Sequence, residues 1–238
     1  MFRLLACACA LAPSVAAQIT DAQPDWTEGT EAVSRARMEA GVLFETLNGS
    51  DGRALDIVLP RLLARIGVVS GLELRLGLSD YRFADVSLPG PSGLTDPAIG
   101  AKLALGSTGP WSAATVVEVS LPLGDDEFSV PARPLALLIV QREQGALTLT
   151  GQAEALWDRA TDRVERGGAL VLGVAVADGV TVLAEGALGS TAQGTSSIVQ
   201  TGATWQFSPV VELEGFAGLG LTEAAPERFV GLGVNVDL

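Results

Sequence analysis

The fold class follows from one stretch of the sequence, LELRLGLS at residues 72–79. Leucine occupies every second position of this stretch, and charged or small residues lie between the leucines. Because successive side chains of a β-strand point to opposite faces, the alternation predicts a strand with one apolar and one polar face. The C-terminal residues 229–238, FVGLGVNVDL, repeat the pattern and predict a second strand of the same kind.

Weaker alternation extends along the chain outward from these two stretches. It is found at residues 37–45, 61–68, 99–105, 113–121, 147–155 and 170–176, and less distinctly at 135–142, 180–189, 196–205 and 210–220. Together these segments give about twelve strands, an even number that suits a single-chain outer-membrane barrel. Short turn sequences, such as those at 69–71 and 177–179, alternate with longer links at 85–95, 124–134 and 158–167. This arrangement predicts short turns at the periplasmic end and loops outside.

The composition is apolar and acidic. Hydrophobic residues make up 48% of the 238 residues, and 28 acidic side chains against 15 basic ones give a net charge of −13. No apolar stretch after residue 17 approaches the roughly 20 residues of a membrane-spanning helix. Such a chain suits a closed barrel whose strands turn one face to lipid, so outer-membrane lipid is an expected partner. The acidic balance argues against nucleic acid as a partner.

The N-terminus has the form of a secretory signal peptide. A basic residue precedes a short apolar run, and VAA at 15–17 provides a small-residue cleavage site. We therefore predict a signal peptide at residues 1–17, a polar N-terminal periplasmic segment at 18–33 and an outer-membrane β-barrel at 34–238. The alternative for the first residues is a helix of the protein core, but the signal peptide fits the pattern better.

Aromatic residues are scarce, but they lie near the ends of predicted strands. The residues concerned are Tyr81, Phe83, Trp111, Trp157, Trp205, Phe207 and Phe229. Because amphipathic rings favour the lipid–water boundary, their placement predicts a sparse aromatic girdle. The alternative is that these rings pack near the turns of a soluble β-protein.

The residue content excludes the commonest catalytic and metal-binding chemistry. The sequence has no histidine, which removes Ser-His-Asp triads and histidine metal sites. The two cysteines, Cys7 and Cys9, lie within the predicted signal peptide. Glu212 and Glu214 stand two apart on one strand, but nothing nearby marks them as a catalytic pair. We therefore predict no enzymatic activity, no catalytic or metal-binding residue and no cofactor.

Charged side chains on the predicted strands must face the barrel interior, because an Arg or Lys facing mid-membrane lipid costs about 2–4 kcal/mol. The lumen-lining candidates are Arg61, Arg65, Glu73, Arg75, Lys102, Glu118, Glu154, Glu185, Glu212 and Glu214. Among them, Arg61, Arg65 and Arg75 would form a basic patch that attracts a carboxylate or phenolate. The alternative is that these arginines pair with Glu73 and Glu118. For the whole set, a salt-bridged network filling a narrow barrel is favoured over a polar lining that selects a solute.

Several segments together resemble a known family. They are TEGT at 27–30, RMEAG at 37–41, LPRLLARIG at 59–67 with LELRLG at 72–77, GLTDPAIGAK at 93–102, and SLPLG at 120–124. From about residue 24 to the C-terminus the chain is similar to outer-membrane transporters associated with the meta-pathway of phenol degradation. The resemblance implies an outer-membrane barrel with a transport role, which the barrel-assembly machinery would fold. The chain ends in Leu238, whereas such barrels often end in an aromatic residue read by that machinery.

The sequence thus predicts an all-β protein, a single antiparallel up-and-down transmembrane β-barrel of about twelve strands. The expected function is a passive channel or transporter for small solutes, with aromatic or apolar ones among them. The alternatives are a closed structural outer-membrane barrel whose lumen is plugged by side chains, and a soluble periplasmic β-protein.

Overall fold

The computed structural model describes residues 27–49, 52–84, 91–191 and 194–238. The predicted signal peptide lies outside this part of the chain. In chain order, the strands are β1 (Ala36–Gly49), β2 (Gly52–Val69), β3 (Leu72–Gly77), β4 (Tyr81–Phe83), β5 (Ser92–Leu94), β6 (Ala98–Thr108), β7 (Trp111–Ser120), β8 (Pro134–Gln144), β9 (Leu147–Asp158), β10 (Arg163–Ala177), β11 (Val180–Thr191), β12 (Gly194–Ser208), β13 (Val211–Gly220) and β14 (Arg228–Asp237). Within the described residues, no helix is both long and apolar enough to cross a bilayer.

The fourteen strands form one closed antiparallel sheet. β1 closes it by pairing with β14 on one side and with β2 on the other. β4 pairs with β2 beyond the point where β3 ends, so it extends β3. β5 pairs with β4 and directly precedes β6 in the chain, so it extends β6. The two short strands are therefore extensions, and the ring is twelve strands wide. The predicted all-β, antiparallel up-and-down barrel of about twelve strands is confirmed.

The two ends of the barrel differ in their connections. One end, which we call the turn end, carries the start of β1, the end of β14 and five two-residue connections, at 70–71, 109–110, 145–146, 178–179 and 209–210. The turn predicted at 69–71 is one of them, and Gly71 there has a φ of 80°, a left-handed conformation that glycine adopts without strain. The opposite end, the loop end, carries the longer links, including 121–133. The link predicted at 158–167 is shorter than expected, because β9 and β10 both extend into it.

Strand β2 is longer than the segment predicted at 61–68. Its first half pairs with β1 in a different register, and the register shifts between Gly41 and Leu43, opposite the segment that contains Pro60. Because proline has no N–H to give to the ladder, it is tolerated in a strand at such an irregularity. The shift breaks the period of two, which is why alternation alone misses the first half of β2.

The barrel buries its charged side chains and exposes its apolar ones. Glu39, Glu73 and Lys102 are among the most deeply buried residues, each with 0% of its surface exposed. The outer face carries large aliphatic residues, such as Leu74 and Leu232, which are 45% and 59% exposed. This arrangement is the reverse of that in a soluble protein, and it is the pattern of a barrel whose outer face meets lipid.

Most residues of the predicted aromatic girdle lie on the outer face. Trp111 and Trp205 are exposed near the turn end, and Trp157 is exposed near the loop end. Phe229 differs, because it is only 5% exposed and its ring centroid lies 6.4 Å from that of Phe216 inside the barrel. Strand alternation gives the reason, since it points Phe229 inward and its neighbour outward.

Candidate functional site

A compact cluster of charged side chains occupies the lumen beside β2, β3 and β6, which are neighbours in the sheet. In the strand register Arg65 stands opposite Arg75, and Glu73 stands opposite Lys102. Alternation turns all four side chains inward, because the residues next to them in sequence face out. Two arginines at neighbouring positions repel each other, so the arrangement is stable only if carboxylates lie between them.

Two carboxylates hold Arg65. Its Nε and Nη2 donate to Oε1 and Oε2 of Glu73 at 2.8 and 2.9 Å, and its Nη1 donates to Oε1 of Glu39 at 3.1 Å. The side chains of these three residues are at most 3% exposed. The bidentate pair in a water-poor interior fixes the guanidinium in one position.

Arg75 and Lys102 share a carboxylate that belongs to the N-terminal segment rather than to the barrel wall. The Nζ of Lys102 donates to Oε2 of Glu28 at 3.2 Å, and Arg75 donates to both oxygens of the same carboxylate. Arg75 also lies 3.2 Å from Glu73 and 3.8 Å from Glu118. The cations are therefore neutralised in place and form no open basic patch.

Residues 27–33, which we call the plug segment, lie inside the barrel. The Thr27 hydroxyl donates to Glu185 on β11 at 2.6 Å, and the Val33 N–H donates to Glu73 on β3 at 2.7 Å. Because β11 and β3 lie on nearly opposite sides of the ring, the segment must cross the lumen between them.

Two further hydrogen bonds hold the middle of the plug segment. The Glu28 N–H donates to the Gln152 side chain at 2.9 Å, and the Thr30 and Ser112 hydroxyl oxygens are 2.7 Å apart. Although a periplasmic position is expected for residues 18–33, residues 27–33 lie in the lumen. The physical reason is that carboxylate, amide and hydroxyl groups of the wall point inward and form hydrogen bonds with the polar groups of residues 27–33. The part from 18 to 26 is outside the described residues.

The plug segment separates two cavities. On the loop side, a cavity of about 490 Å³ is lined by Glu28, Arg61, Arg75 and Glu118, among others. On the turn side, a cavity of about 470 Å³ is lined by residues 29–37 and by wall residues that include Arg65. Each cavity would hold a small molecule, and the plug segment is the part of the described chain that lies between them.

The predicted lumen-lining residues fall into two groups. Arg65, Glu73, Arg75 and Lys102 come together in the charged cluster, with Glu118 at its edge. The expected patch of Arg61, Arg65 and Arg75 is not assembled. Arg61 lines the loop-side cavity and pairs with Asp80 at 3.4 Å, whereas Arg65 lines the turn-side cavity.

The remaining candidates lie elsewhere in the lumen. Glu154 lines the loop-side cavity. Glu185 and Glu212 are both 4% exposed, and Glu212 accepts a hydrogen bond from Asn235 at 3.1 Å. Glu214 stands opposite Gly233 on β14, where a Cβ would collide with the carboxylate. These four carboxylates lie on β9, β11 and β13, and not on β2, β3 and β6, which carry the charged cluster.

Sequence reasoning missed the plug residues, above all Glu28, and the wall amide Gln152 that binds its N–H. The plug has no period of two, so alternation carries no information about its position. One signal was available, since Glu28 lies in the TEGT segment at 27–30, where the family resemblance begins.

At the loop end, Asp96 organises the link between β7 and β8. Its carboxylate accepts bonds from the N–H groups of Leu123, Gly124 and Val130 at 3.0, 2.9 and 2.9 Å and from the Ser129 hydroxyl at 2.7 Å. Although burial raises the pKa of Asp96, these bonds outweigh it and lower the pKa below its usual value. No group of three or more potential metal-ligating side chains exists among the described residues.

The fold resembles those of solved outer-membrane proteins. The COG4313 outer membrane channel from Pseudomonas putida F1 is 15% identical, with a TM-score of 0.65 over 91% of this chain and 99% of that chain. The KdgM porin is 10% identical, with a TM-score of 0.61 over 85% and 99%, and it is also known in complex with disordered oligogalacturonate. The NanC porin is 8% identical, with a TM-score of 0.59 over 85% and 100%. No curated protein matches the sequence.

The resemblance carried by the TEGT, LPRLLARIG and GLTDPAIGAK segments is confirmed at the level of the family. Residues 23–238, which include the plug segment and the whole barrel, match a single family model. The chain therefore belongs to the family described as "Putative MetA-pathway of phenol degradation".

Proposed function

We propose that the protein is an outer-membrane β-barrel channel for small solutes and has no enzymatic role. The observation that carries this proposal is the pair of cavities, one at each end of a charged lumen, inside a barrel with an apolar outer face. In a closed barrel every strand has two neighbours, so the backbone N–H and C=O groups form their hydrogen bonds within the sheet. An open sheet in lipid would leave the groups of its edge strands without partners. The predicted signal peptide and the family support export and the outer membrane, and the barrel-assembly machinery is the partner that would fold the protein there.

The orientation follows from the connections. Outer-membrane barrels carry short turns on the periplasmic side and longer loops outside. The turn end, where β1 begins and β14 ends, would therefore face the periplasm, and the loop-side cavity would face the medium. A solute arriving from outside would first enter the loop-side cavity, which is lined by Arg75 and Glu118 of the wall and by Glu28 of the plug segment.

The test is ion conductance of the purified protein in planar lipid bilayers, together with swelling of liposomes in solutes of increasing size. We expect discrete conductance steps and size-limited swelling, and protein-free bilayers and liposomes are the control. A protein that fractionates with the inner membrane or the soluble periplasm would contradict the location.

A second function is favoured by a specific observation, namely the ion-pair cluster and the plug segment that fill the middle of the lumen. They suit a closed structural barrel that contributes to the envelope without transport. Absence of conductance and swelling in a folded, heat-modifiable protein would support this function and contradict the channel.

A further inference from the structure

Glu28 differs from the other carboxylates of the charged cluster, because it is carried by the plug and not by the wall. Glu39 and Glu73, which bind Arg65, belong to strands β1 and β3 and cannot leave. Glu28 reaches Arg75 and Lys102 from a segment that has no strand partner. Its carboxylate therefore occupies a site built by the wall and is held there as a ligand would be.

The position of Glu28 makes this site accessible from the loop side. Its side chain is 13% exposed, and together with Arg75 it lines the loop-side cavity. Lys102, by contrast, is fully buried behind it. A cavity of about 490 Å³ has room for a single-ring molecule next to the bound carboxylate.

The Glu28 carboxylate attaches the plug segment to two cations of the wall, Arg75 and Lys102. Other attachments of the segment include the hydrogen bonds of Thr27 with Glu185 and of Thr30 with Ser112. Charge-assisted bonds to an arginine and a lysine are stronger than a bond between two hydroxyls. Loss of the Glu28 contacts would therefore loosen the whole segment.

Resting on the proposed channel function, we propose that a small monocarboxylate solute replaces Glu28 on Arg75 and Lys102 and thereby releases the plug. The exchange of one carboxylate for another leaves the buried cations neutralised, so no unpaired charge is created in the lumen. A neutral ring or a cation cannot make this exchange. Carboxylate solutes are thus both the opening signal and the substrate class of the channel.

The experiment measures the open probability of single channels in planar bilayers at constant KCl, with and without sodium benzoate on the loop side. For the wild-type protein, benzoate should raise open probability about tenfold, within the range of typical coupling between sites. Benzyl alcohol, a neutral ring of similar size, should have no effect. E28Q should be open without benzoate and insensitive to it.

The matched control is E223Q, the same chemical change at an exposed position of the link between β13 and β14, outside the charged cluster and both cavities. E223Q should respond to benzoate as the wild type does. An equal response of E28Q and wild type to benzoate would overturn the inference.

A second variant keeps the test independent of E28Q folding. Thr30 and Ser112 face each other at 2.7 Å, so T30C/S112C places two thiols at the point where the plug meets β7. Oxidation with diamide should lock the plug and abolish the benzoate response, and dithiothreitol should restore it. If the wild type, E28Q and the reduced double variant all fail to conduct, the channel function itself is wrong. If they conduct but neither benzoate nor the lock changes conductance, only the plug-release inference is wrong.

Discussion

At the scale of single residues, Glu73 is the centre of the lumen. It binds Arg65 through both oxygens, contacts Arg75 at 3.2 Å and accepts the Val33 N–H of the plug at 2.7 Å. One carboxylate thus joins β2, β3 and the plug segment. Because its side chain is fully buried, water cannot replace these contacts when it is changed.

Glu73→Gln should therefore destabilise the barrel by about 3–5 kcal/mol, because it leaves buried arginine charge uncompensated. The measurement is a urea titration of the protein refolded in lipid vesicles, followed by tryptophan fluorescence and gel migration. The matched control is Glu223→Gln in the exposed link before β14, which should change stability by no more than about 0.5 kcal/mol. Equal stability of the two variants would contradict the central role of Glu73.

At the scale of elements, the carboxylate of Asp96 holds the link between β7 and β8 through bonds to Leu123, Gly124, Ser129 and Val130. Because its folded pKa lies below the ordinary value of 3.8, Asp96 stabilises the link fully above that value. The stabilisation is lost as the pH falls through the lower folded pKa.

Asp96→Asn should loosen the link at neutral pH by about 1–3 kcal/mol, because it removes the charge from several hydrogen bonds. Hydrogen–deuterium exchange at Leu123, Gly124 and Val130 measures this, and all three amides should exchange faster. In the wild type the same amides should become fast only below pH 3.8. Asp126→Asn, at an exposed position of the same link, is the control and should leave their exchange unchanged.

Elements with a regular period could be predicted from the sequence, and those fixed by distant contacts could not. The stretches at 72–79 and 229–238 predicted β3 and β14 correctly, because their side chains alternate between facing lipid and facing the lumen. The first half of β2 was missed because its register shifts near Pro60. The plug was misplaced because contacts such as that between Thr27 and Glu185, 158 residues apart, decide its position.

The sequence predicted which residues line the candidate site, but not how those residues are arranged around the plug segment. Alternation identified Arg65, Glu73, Arg75 and Lys102 as inward residues, and their pairing with carboxylates was among the alternatives. The alternation could not show that Arg61 and Arg65 line cavities on opposite sides of the plug, because the position of each cavity depends on the path of residues 27–33 through the lumen.

At the scale of the whole molecule, the apolar outer face should make stability depend on depth in the bilayer. Leu232 lies near the middle of β14 and is 59% exposed, whereas Leu221 is 61% exposed in the link at the loop end. Leu232→Arg should destabilise the protein in lipid vesicles by about 2–4 kcal/mol, because the charge would face hydrocarbon.

Leu221→Arg, with the same change at similar exposure, should cost about 1 kcal/mol or less, since it lies outside the strands. Urea titration in vesicles compares the two variants directly. Equal stability would mean that the outer face of β14 does not meet lipid, and that the membrane-spanning barrel is wrong.

The plug segment is joined to β1 by only two residues, Ser34 and Arg35. A released Glu28 therefore remains close to Arg75 and Lys102, at an effective concentration in the millimolar range that is typical of short tethers. A free carboxylate must compete against that internal concentration to keep the lumen open. The length of this connection thus sets a threshold, so that the barrel would admit its solute when it is abundant and close again as the supply falls.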